Sequence, residues 1–416
     1  MKSLFNRFQP LGSGLHLDSA EEKILKGEEG EAKQFAMEIV SKVGDAVGAE
    51  SLVPIKSAHV LAHYSSLHEA GIDVLERFAD RGGKFAVPTS VDPASIDLQN
   101  WRSFGVSEEY AKKQFRLCDA YAKLGGMRCW TCVQYQVCNF PRQGDYVAWA
   151  ESSAVVFANS VLGVRSNKIT AGMDVACAVL GMTPKFGMLE DENRAAEVAF
   201  RLAFEDLDDL DFRSIGFFLG RNAGARLPAL LGLPASATSD QIKHLSAGAA
   251  AAGPVTMIHL PGITPETRSA ASPSEHVGLE EIEITRAGLE DVERDLNQTA
   301  EFPDLVAFGV PHLSVNELGE LARLLEGRKL KGGVKLYAYT SSQAYDMAER
   351  TGISKVIERT GARITQSTDA EISPLKSMGF STVMTNSAKL AEIVSSEGEI
   401  KVRYARQKDI IDEVTR

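Results

Sequence analysis

Asp304-Leu-Val-Ala-Phe-Gly-Val310 is a short apolar segment with the composition of a β-strand. Three further strand-like segments follow it, at residues 335–339, 363–366 and 382–385. Helical patterns, such as the one from Ser314 to Leu325, separate these strands. Because strands that alternate with helices favour a parallel sheet, residues 279–416 are predicted to form a C-terminal parallel α/β domain.

The segments that come directly after these strands are rich in small polar residues. They are Pro311-His312, Thr340-Ser341-Ser342, Ser367-Thr368-Asp369 and Asn386-Ser387. In open parallel sheets, ligands bind beyond the carboxyl ends of the strands. These segments are therefore predicted to line a cleft.

The first 278 residues contain a second set of strand and helix patterns. Strand-like segments at 51–58 and 84–87 flank a helical pattern at 67–81, which is typical of a βαβ unit. Further helices are predicted at residues 20–47, 148–162 and 235–256, with a linker as the alternative for the last of them. A chain of 416 residues exceeds the usual size of a single core. Residues 1–278 are therefore expected to form an N-terminal α/β region of two subdomains.

Composition and charge narrow the class of protein. The net charge is −11 and the Lys and Arg residues are scattered, which argues against a nucleic-acid or anionic-membrane surface. The sequence has no signal-peptide pattern and no run of about eighteen apolar residues, so a cytoplasmic location is expected. Five cysteines, an odd number, indicate reduced thiols rather than disulfides.

The densest group of chemically reactive residues is Cys129-Trp-Thr-Cys132-Val-Gln-Tyr135-Gln-Val-Cys138. Thiolates two residues apart suit the ligation of zinc or an iron–sulfur cluster. Redox chemistry and plain packing are the alternatives for a single pair of this kind. Tyr135 is a candidate general acid or substrate hydrogen-bond donor, with ordinary packing as the alternative.

Three charged residues outside this group are candidates for binding or catalysis. Glu151 lies in a mostly apolar stretch, where an ionised carboxylate is costly unless it is paired, so it is predicted to be an acid or base, or the partner of a buried arginine. Arg165 has a planar guanidinium suited to a carboxylate or phosphate, although a surface turn is the alternative. Lys389 lies one turn into a predicted helix, where exposed N–H groups favour anions, although a solvated surface lysine is the alternative.

The order of these segments resembles the aconitase X family. The resemblance covers nearly the whole chain, and Ala148-Trp-Ala-Glu-Ser-Ser-Ala-Val155 is its most specific part. The other matching segments are Ser57-Ala-His59-Val60, residues 88–98, Gly181-Met-Thr-Pro184 and Thr385-Asn-Ser-Ala-Lys389. The resemblance implies a multi-domain aconitase-like architecture, in which parallel sheets flanked by helices surround a central cleft.

The resemblance also implies an activity and a partner. Members of this family look like hydro-lyases that dehydrate small anionic hydroxy acids, such as cis-3-hydroxy-L-proline or mevalonate 5-phosphate. An iron–sulfur cluster serves them as a Lewis acid. A smaller swivelling domain completes their active site, either fused or as a separate chain, and here a separate small subunit is expected.

Site residues follow from the resemblance together with the local patterns. The residues expected to be catalytic are Glu151, Ser152, Ser153, Tyr135 and Lys389. The residues expected to bind substrate are Ser57, His59, Asn159, Arg165, Asn167, Asn386 and Ser387. Cys132 and Cys129 are the candidate metal ligands.

The chain departs from the family at the cluster. Family members hold it with three cysteines from distant segments, and Cys132 matches the first of them. Val310 stands where the second is expected, and the segment Gln366–Ile372 contains Asp369 and Glu371 but no cysteine. Because valine cannot coordinate iron, a cluster of the family type is not expected.

Three interpretations follow from the missing thiolates. The first is a cluster-free hydro-lyase or isomerase, in which Arg165, Lys389 and a hydrogen-bonding loop replace the electrostatic effect of the metal. The second is a relocated iron–sulfur or zinc site, built from Cys129, Cys132 and Cys138 with Asp369 or His312. The third is a catalytically silent subunit that serves binding or assembly.

Overall fold

The computed structural model describes residues 14–268 and 278–416, which form three successive regions, each with its own parallel sheet. The helices of the first region are α1 (Ser19–Leu25), α2 (Glu31–Val47), α3 (Tyr64–Asp80), α4 (Glu108–Leu124), α5 (Gln134–Val137), α6 (Ser152–Phe157) and α7 (Met173–Leu180). Its strands are β1 (Leu52–Pro54), β2 (Ser57–Val60), β3 (Thr89–Val91), β4 (Val147–Trp149) and β5 (Met182–Pro184). Strands β3, β2 and β4 form the parallel sheet, while β1 and β5 pair antiparallel.

Three elements of this region differ from the predicted ones. The helix predicted at 20–47 is divided into α1 and α2, because Gly27 and Gly30 adopt positive φ angles of 84° and 99°. The strand predicted at 84–87 lies instead at β3. The single helix predicted at 148–162 is strand β4, then α6, which continues as a π-helical turn over Ala158–Leu162. Glu151, in extended conformation, separates strand from helix.

The second region has a three-stranded parallel sheet in the order β7–β6–β8. Its elements are β6 (Val198–Leu202), α8 (Asp209–Ala223), β7 (Pro228–Leu231), α9 (Ser239–Ala252), α10 (Pro265–Arg268), β8 (Glu280–Ile284) and α11 (Arg286–Leu296). The close-packed helix predicted at 235–256 corresponds to α9. It approaches α8 so closely that a Cβ on Gly216 would lie 2.0 Å from the Leu245 carbonyl oxygen. Strand β8 pairs with β6, although the predicted C-terminal domain begins at residue 279.

The third region is a five-stranded parallel sheet in the order β11–β10–β9–β12–β13. Its strands are β9 (Leu305–Leu313), β10 (Lys335–Thr340), β11 (Arg363–Gln366), β12 (Thr382–Thr385) and β13 (Lys401–Tyr404). Its helices are α12 (Val315–Leu325), α13 (Ser342–Arg350), α14 (Ile353–Arg359), α15 (Ala388–Ser396) and α16 (Gln407–Val414). Separate apolar clusters cover the two faces of the sheet. The predicted α/β class with parallel sheets flanked by helices is confirmed.

The strand order of the third region fixes where a ligand site can form. The chain moves outward from β9 through β10 to β11, and then returns to the other side of β9 at β12. Such a reversal opens a crevice at the carboxyl ends of the two central strands. Across the described residues, no helix is both long enough and apolar enough to cross a membrane.

Candidate active site

Three charged side chains from distant parts of the chain meet at this crevice. Lys389 Nζ lies 2.9 Å from Glu151 Oε1 and 2.8 Å from Glu371 Oε1. All three side chains are at least nine-tenths buried. We call Lys389, Glu151 and Glu371 the lysine–carboxylate cluster. It joins the first region to the third.

Local structure holds each member of the cluster in place. Glu151 is the N-cap of α6, and one of its carboxylate oxygens accepts a hydrogen bond from the Ser153 N–H at 3.1 Å. Lys389 lies in the first turn of α15, which Ser387 caps by accepting from the Leu390 N–H at 3.1 Å. Glu371 follows β11. The predicted pairing of Glu151 is therefore with a lysine rather than an arginine.

Electrostatics gives the two carboxyl groups different protonation behaviour. Burial acts to raise the pKa of Glu151, but Lys389 and the Ser153 N–H outweigh it and lower that pKa to about 2. Burial raises the pKa of Glu371 above its ordinary value, because attraction by Lys389 is offset by repulsion from Glu151. Burial opposes the charge on Lys389, yet the two carboxylates raise its pKa well above the ordinary value. The cluster thus has a fixed cation and one carboxyl group that can exchange a proton.

A second group of buried polar side chains lies next to the cluster. His59 Nε2 is 3.0 Å from Asp92 Oδ1, and its Nδ1 is 2.8 Å from Ser90 Oγ. His63 Nε2 lies 3.7 Å from the other Asp92 oxygen. Burial lowers the pKa of both histidines to about 4, and burial together with Glu151 raises that of Asp92 well above its ordinary value. These rings are neutral at pH 7.

Cys132, His312 and Asp369 form a third group. One ligand atom from each lies within 4.8 Å of the others, and all three residues are buried. His312 is at the end of β9, and Asp369 follows β11. Burial lowers the pKa of His312 to about 4. A thiolate, an imidazole and a carboxylate together form a donor set that can bind a transition-metal ion. The three thiolates of a family-type cluster do not meet at this position.

Two asparagines predicted to bind substrate have scaffold contacts. Asn159 donates to the carbonyls of Ser166 and Thr256 at 2.8 and 2.9 Å, and its side-chain oxygen accepts from the Ser166 N–H at 3.1 Å. Asn167 holds the loop that precedes β6, by donating to Phe186 O and accepting from the Met188 N–H. Their role in substrate binding stays a prediction.

Arg165 and Tyr135 also have structural partners. Arg165 pairs with the exposed Asp191 and donates to Leu189 O at 3.3 Å. The Tyr135 ring stacks on Phe157, with ring centroids 4.3 Å apart. Tyr135 also interacts electrostatically with Glu151 of the lysine–carboxylate cluster. The substrate-binding role of Arg165 and the catalytic role of Tyr135 stay predictions.

The other predicted residues occupy different positions around the crevice. Ser57 Oγ accepts from Trp149 Nε1 at 3.4 Å, and Asn386 lines an outer cavity beside Arg406. Ser152 begins α6, directly after Glu151. The Cys129 thiol donates to Val91 O at 3.5 Å.

Residues that sequence analysis did not assign to the site also lie here. Glu371 was noted only because its segment lacks cysteine, and Asp92 only as part of the matching segment 88–98. Lys168 lies close enough to Glu151 and Lys389 to interact electrostatically, and burial lowers its pKa to about 8. The signal that marks Glu371 is its position after a parallel strand. A cavity of about 450 Å³ is lined by Glu371, Ser65 and Tyr110 among others.

Comparison with known proteins gives the same family for all three regions. Family models of the first, second and third domains of aconitase X match residues 14–192, 196–294 and 303–416. The phosphomevalonate dehydratase large subunit of Methanothermobacter thermautotrophicus is 36% identical over 91% of this chain and 94% of its own. The cis-3-hydroxy-L-proline dehydratase of Pseudomonas aeruginosa is 35% identical over 94% of this chain and 69% of its own.

A solved structure agrees with the sequence comparisons. The crystal structure of Thermococcus kodakaraensis aconitase X in its holo-form has a TM-score of 0.88 and 33% identity, covering 96% of this chain and 100% of that one. The relatives named above are dehydratases, so the predicted hydro-lyase class is confirmed. The chain belongs to the aconitase X family.

Proposed function

We propose that the chain is the large subunit of a dehydratase that removes water from a small anionic hydroxy acid. The observation that carries this proposal is Lys389, buried between Glu151 and Glu371 at the crevice of the third region. A cation of this kind binds a substrate carboxylate and stabilises the negative charge that develops when the neighbouring C–H proton leaves.

Glu371 is the proposed proton carrier. In its carboxylate form it takes the proton from carbon, the C–H electron pair forms the double bond, and the C–O bond breaks. In its acid form it returns the proton to the departing hydroxyl, which leaves as water. A carboxyl group whose pKa is raised by burial suits both steps, because burial stabilises its acid form and makes its carboxylate a stronger base.

Glu151 has a different proposed role. Its carboxylate stays ionised because Lys389 and the Ser153 N–H stabilise the charge. It therefore fixes the position and the charge of the lysine rather than exchanging a proton. His59 and His63, held by Asp92, are proposed to complete the wall of the substrate site as neutral hydrogen-bonding groups.

A separate small subunit is the proposed partner. The chain spans nearly the whole length of a phosphomevalonate dehydratase large subunit, but about two thirds of a cis-3-hydroxy-L-proline dehydratase. The difference in length supports a second, smaller chain, for which we propose a swivelling domain that covers the cavity beside Glu371. Water would then be excluded from the lysine–carboxylate cluster during the reaction.

Reconstitution tests this proposal. The chain is co-expressed with candidate small subunits from its own genome and assayed with mevalonate 5-phosphate and cis-3-hydroxy-L-proline, by following substrate loss and alkene formation. We expect dehydration of one substrate by the complex and none by the Lys389→Met complex. A stable complex without dehydration of either compound would support a silent binding subunit, and a shifted double bond without water loss would support an isomerase.

A further inference from the structure

We infer that Cys132, His312 and Asp369 bind one divalent transition-metal ion, zinc or ferrous iron, in place of an iron–sulfur cluster. Their ligand atoms lie within 4.8 Å of one another inside the protein. Metal–ligand bonds of about 2.0–2.3 Å place donor atoms around one ion at most about 4.6 Å apart. Little movement would close the site. The inference rests on this donor geometry and does not require the proposed reaction.

The donor set has the chemistry of a catalytic metal site. Thiolate, imidazole and carboxylate are all accepted by zinc and ferrous iron. Three protein ligands leave a fourth position for water or for a substrate oxygen. Structural zinc sites, by contrast, usually have four protein ligands.

Hydrogen bonds orient the three ligands. His312 Nε2 donates to the Thr368 carbonyl at 2.9 Å, which leaves the lone pair on Nδ1. This Nδ1 faces the Thr131 hydroxyl at 3.0 Å, a contact that a metal ion would displace. The backbone N–H of His312 donates to Cys132 Sγ at 3.4 Å, and Asp369 Oδ1 accepts from the Glu371 N–H at 3.1 Å. Contacts of this kind fix the ligands at metal sites.

The charge of the surrounding crevice favours a cation. Asp92 and Asp369 are buried near the lysine–carboxylate cluster and interact electrostatically with it. Among the described residues of this crevice, carboxyl groups therefore outnumber the amines. Glu371 Oε2 has no hydrogen-bond partner among them. Burial disfavours the ionised form of these carboxyl groups, and a bound divalent ion would compensate the charge of their carboxylates.

The other cysteines are not placed to form a cluster. Cys129 donates to Val91 O and has a hydrogen bond with Cys138 that lowers its pKa to about 7. Cys177 is completely buried in α7. A three-thiolate cluster around Cys132 therefore does not fit the residues of this chain, whereas a single ion does.

Elemental analysis and cobalt spectroscopy test the inference. The full-length chain, with its small subunit where one is found, is purified anaerobically and analysed for zinc, iron and acid-labile sulfide. We expect about one metal ion per chain and no sulfide. The chelator-treated protein is then titrated with Co²⁺, and a thiolate-to-cobalt charge-transfer band saturating at one equivalent is expected. Failure to bind either metal or Co²⁺, or the presence of iron with sulfide, would overturn the inference.

Single variants identify the ligands. Cys132→Ser is expected to remove the charge-transfer band, while His312→Gln and Asp369→Asn weaken Co²⁺ binding at least about tenfold. Cys177→Ala, a buried thiol elsewhere, serves as the matched control and keeps the band. Cys129→Ser is also expected to keep it. Loss of the band in Cys129→Ser with retention in Cys132→Ser would overturn the trio in favour of a site at Cys129 and Cys138.

Thermal unfolding separates loss of a ligand from loss of the fold. Metal raises the Tm of the wild-type protein, because it binds the folded state, and it leaves the Tm of a ligand variant unchanged. An active complex without metal would overturn the metal site and keep the proposed dehydratase. A complex that binds one ion but dehydrates neither test substrate would support the metal site and count against the proposed dehydratase.

Discussion

Two buried lysines, Lys389 and Lys243, lie between acidic side chains. They differ in how fully the neighbouring carboxylates are paired. Lys243 is completely buried in α9 and donates to the His312 carbonyl at 3.0 Å. Its ionic partners are Glu317, in close contact, and Asp240 at 3.3 Å. Lys389 has two carboxylate partners, Glu151 and Glu371, and the carboxyl group of Asp369 is buried nearby as well.

The difference is clearest in the two glutamates. One oxygen of Glu317 pairs with His244, and the other accepts from the Ser314 N–H at 2.8 Å as well as from the lysine. Glu371 has one oxygen on Lys389 and another without a partner among the described residues. A group with satisfied partners stabilises the fold, whereas a group with an unfilled hydrogen-bonding position is available for a ligand. We therefore regard the Lys243 cluster as structural and the Lys389 cluster as functional.

The largest expected effect separates the two lysines by activity. Lys389→Met should lower kcat/KM of the complex by about 10²–10³-fold, because it removes the positive charge that stabilises the transition state. Lys243→Met should keep kcat close to wild type at a temperature where it is folded. Steady-state kinetics of both variants checks this. Similar losses in kcat for the two would break the distinction.

The next effect separates them by stability. Lys243→Met leaves Glu317 buried without its lysine and should lower the free energy of unfolding by about 3–5 kcal/mol. Lys389→Met should cost less, since Glu371 can take up a proton when the lysine is absent. Calorimetric scans of the two variants at pH 7 compare their losses of unfolding free energy. A larger decrease in Tm for Lys389→Met would contradict the assignment.

The sequence predicted the third region better than the site. The strands around Asp304–Val310 have apolar composition and regular spacing, and composition is a local property that the chain itself displays. The division at Glu151 depends instead on its capping of α6, which an apolar stretch with interspersed serines does not reveal. Glu151 itself was found because a carboxylate in such a stretch needs a partner, and the structure supplies Lys389.

Tertiary proximity explains what the sequence could not show. Glu371 is separated from Glu151 by more than 200 residues, and no local pattern links them. The sequence predicts that Asn159 binds substrate, and in the structure its amide holds loops together. A buried polar residue marks either a site or a scaffold bond, and only the partners distinguish the two.

A pH comparison of the two glutamates gives a smaller effect. The pKa of Glu371 is raised in the fold, so the protonated form favours folding, and this contribution is lost as pH rises through the folded pKa. Burial opposes the charge on Glu317, but Lys243 and His244 outweigh it and lower its pKa. Its contribution is therefore present above the unfolded pKa and lost as pH falls through the folded pKa.

These signs predict opposite responses to neutral substitution. Glu371→Gln should raise Tm at pH 8 by about 1–3 °C while it lowers kcat about 10²-fold. Glu317→Gln should lower Tm at the same pH. Scans from pH 4 to pH 8 should show the difference between Glu371→Gln and wild type shrinking toward acid. A Glu371→Gln protein that loses stability at pH 8 would show that this carboxylate is structural.

The smallest expected effect uses two helix caps that match closely. Ser387 caps α15, which carries Lys389, and Ser314 caps α12, which carries Glu317. Each serine accepts a hydrogen bond from a backbone N–H three residues later, at 3.1 and 3.2 Å. Replacing either with alanine should cost about 1 kcal/mol of stability.

Activity should respond to only one of the two caps. Ser387→Ala loosens the first turn of α15 and shifts Lys389 relative to Glu371, so we expect kcat to fall severalfold with little change in Tm beyond that of Ser314→Ala. Ser314→Ala should keep kcat, because its helix carries Glu317 of the Lys243 cluster, which we regard as structural. Since both variants lose a helix cap of the same kind, a difference in kcat at equal stability assigns the effect to the start of α15, through the position of Lys389 or through Ser387 itself. Equal kcat values would mean that the Glu151 and Glu371 carboxylates alone hold the lysine in place.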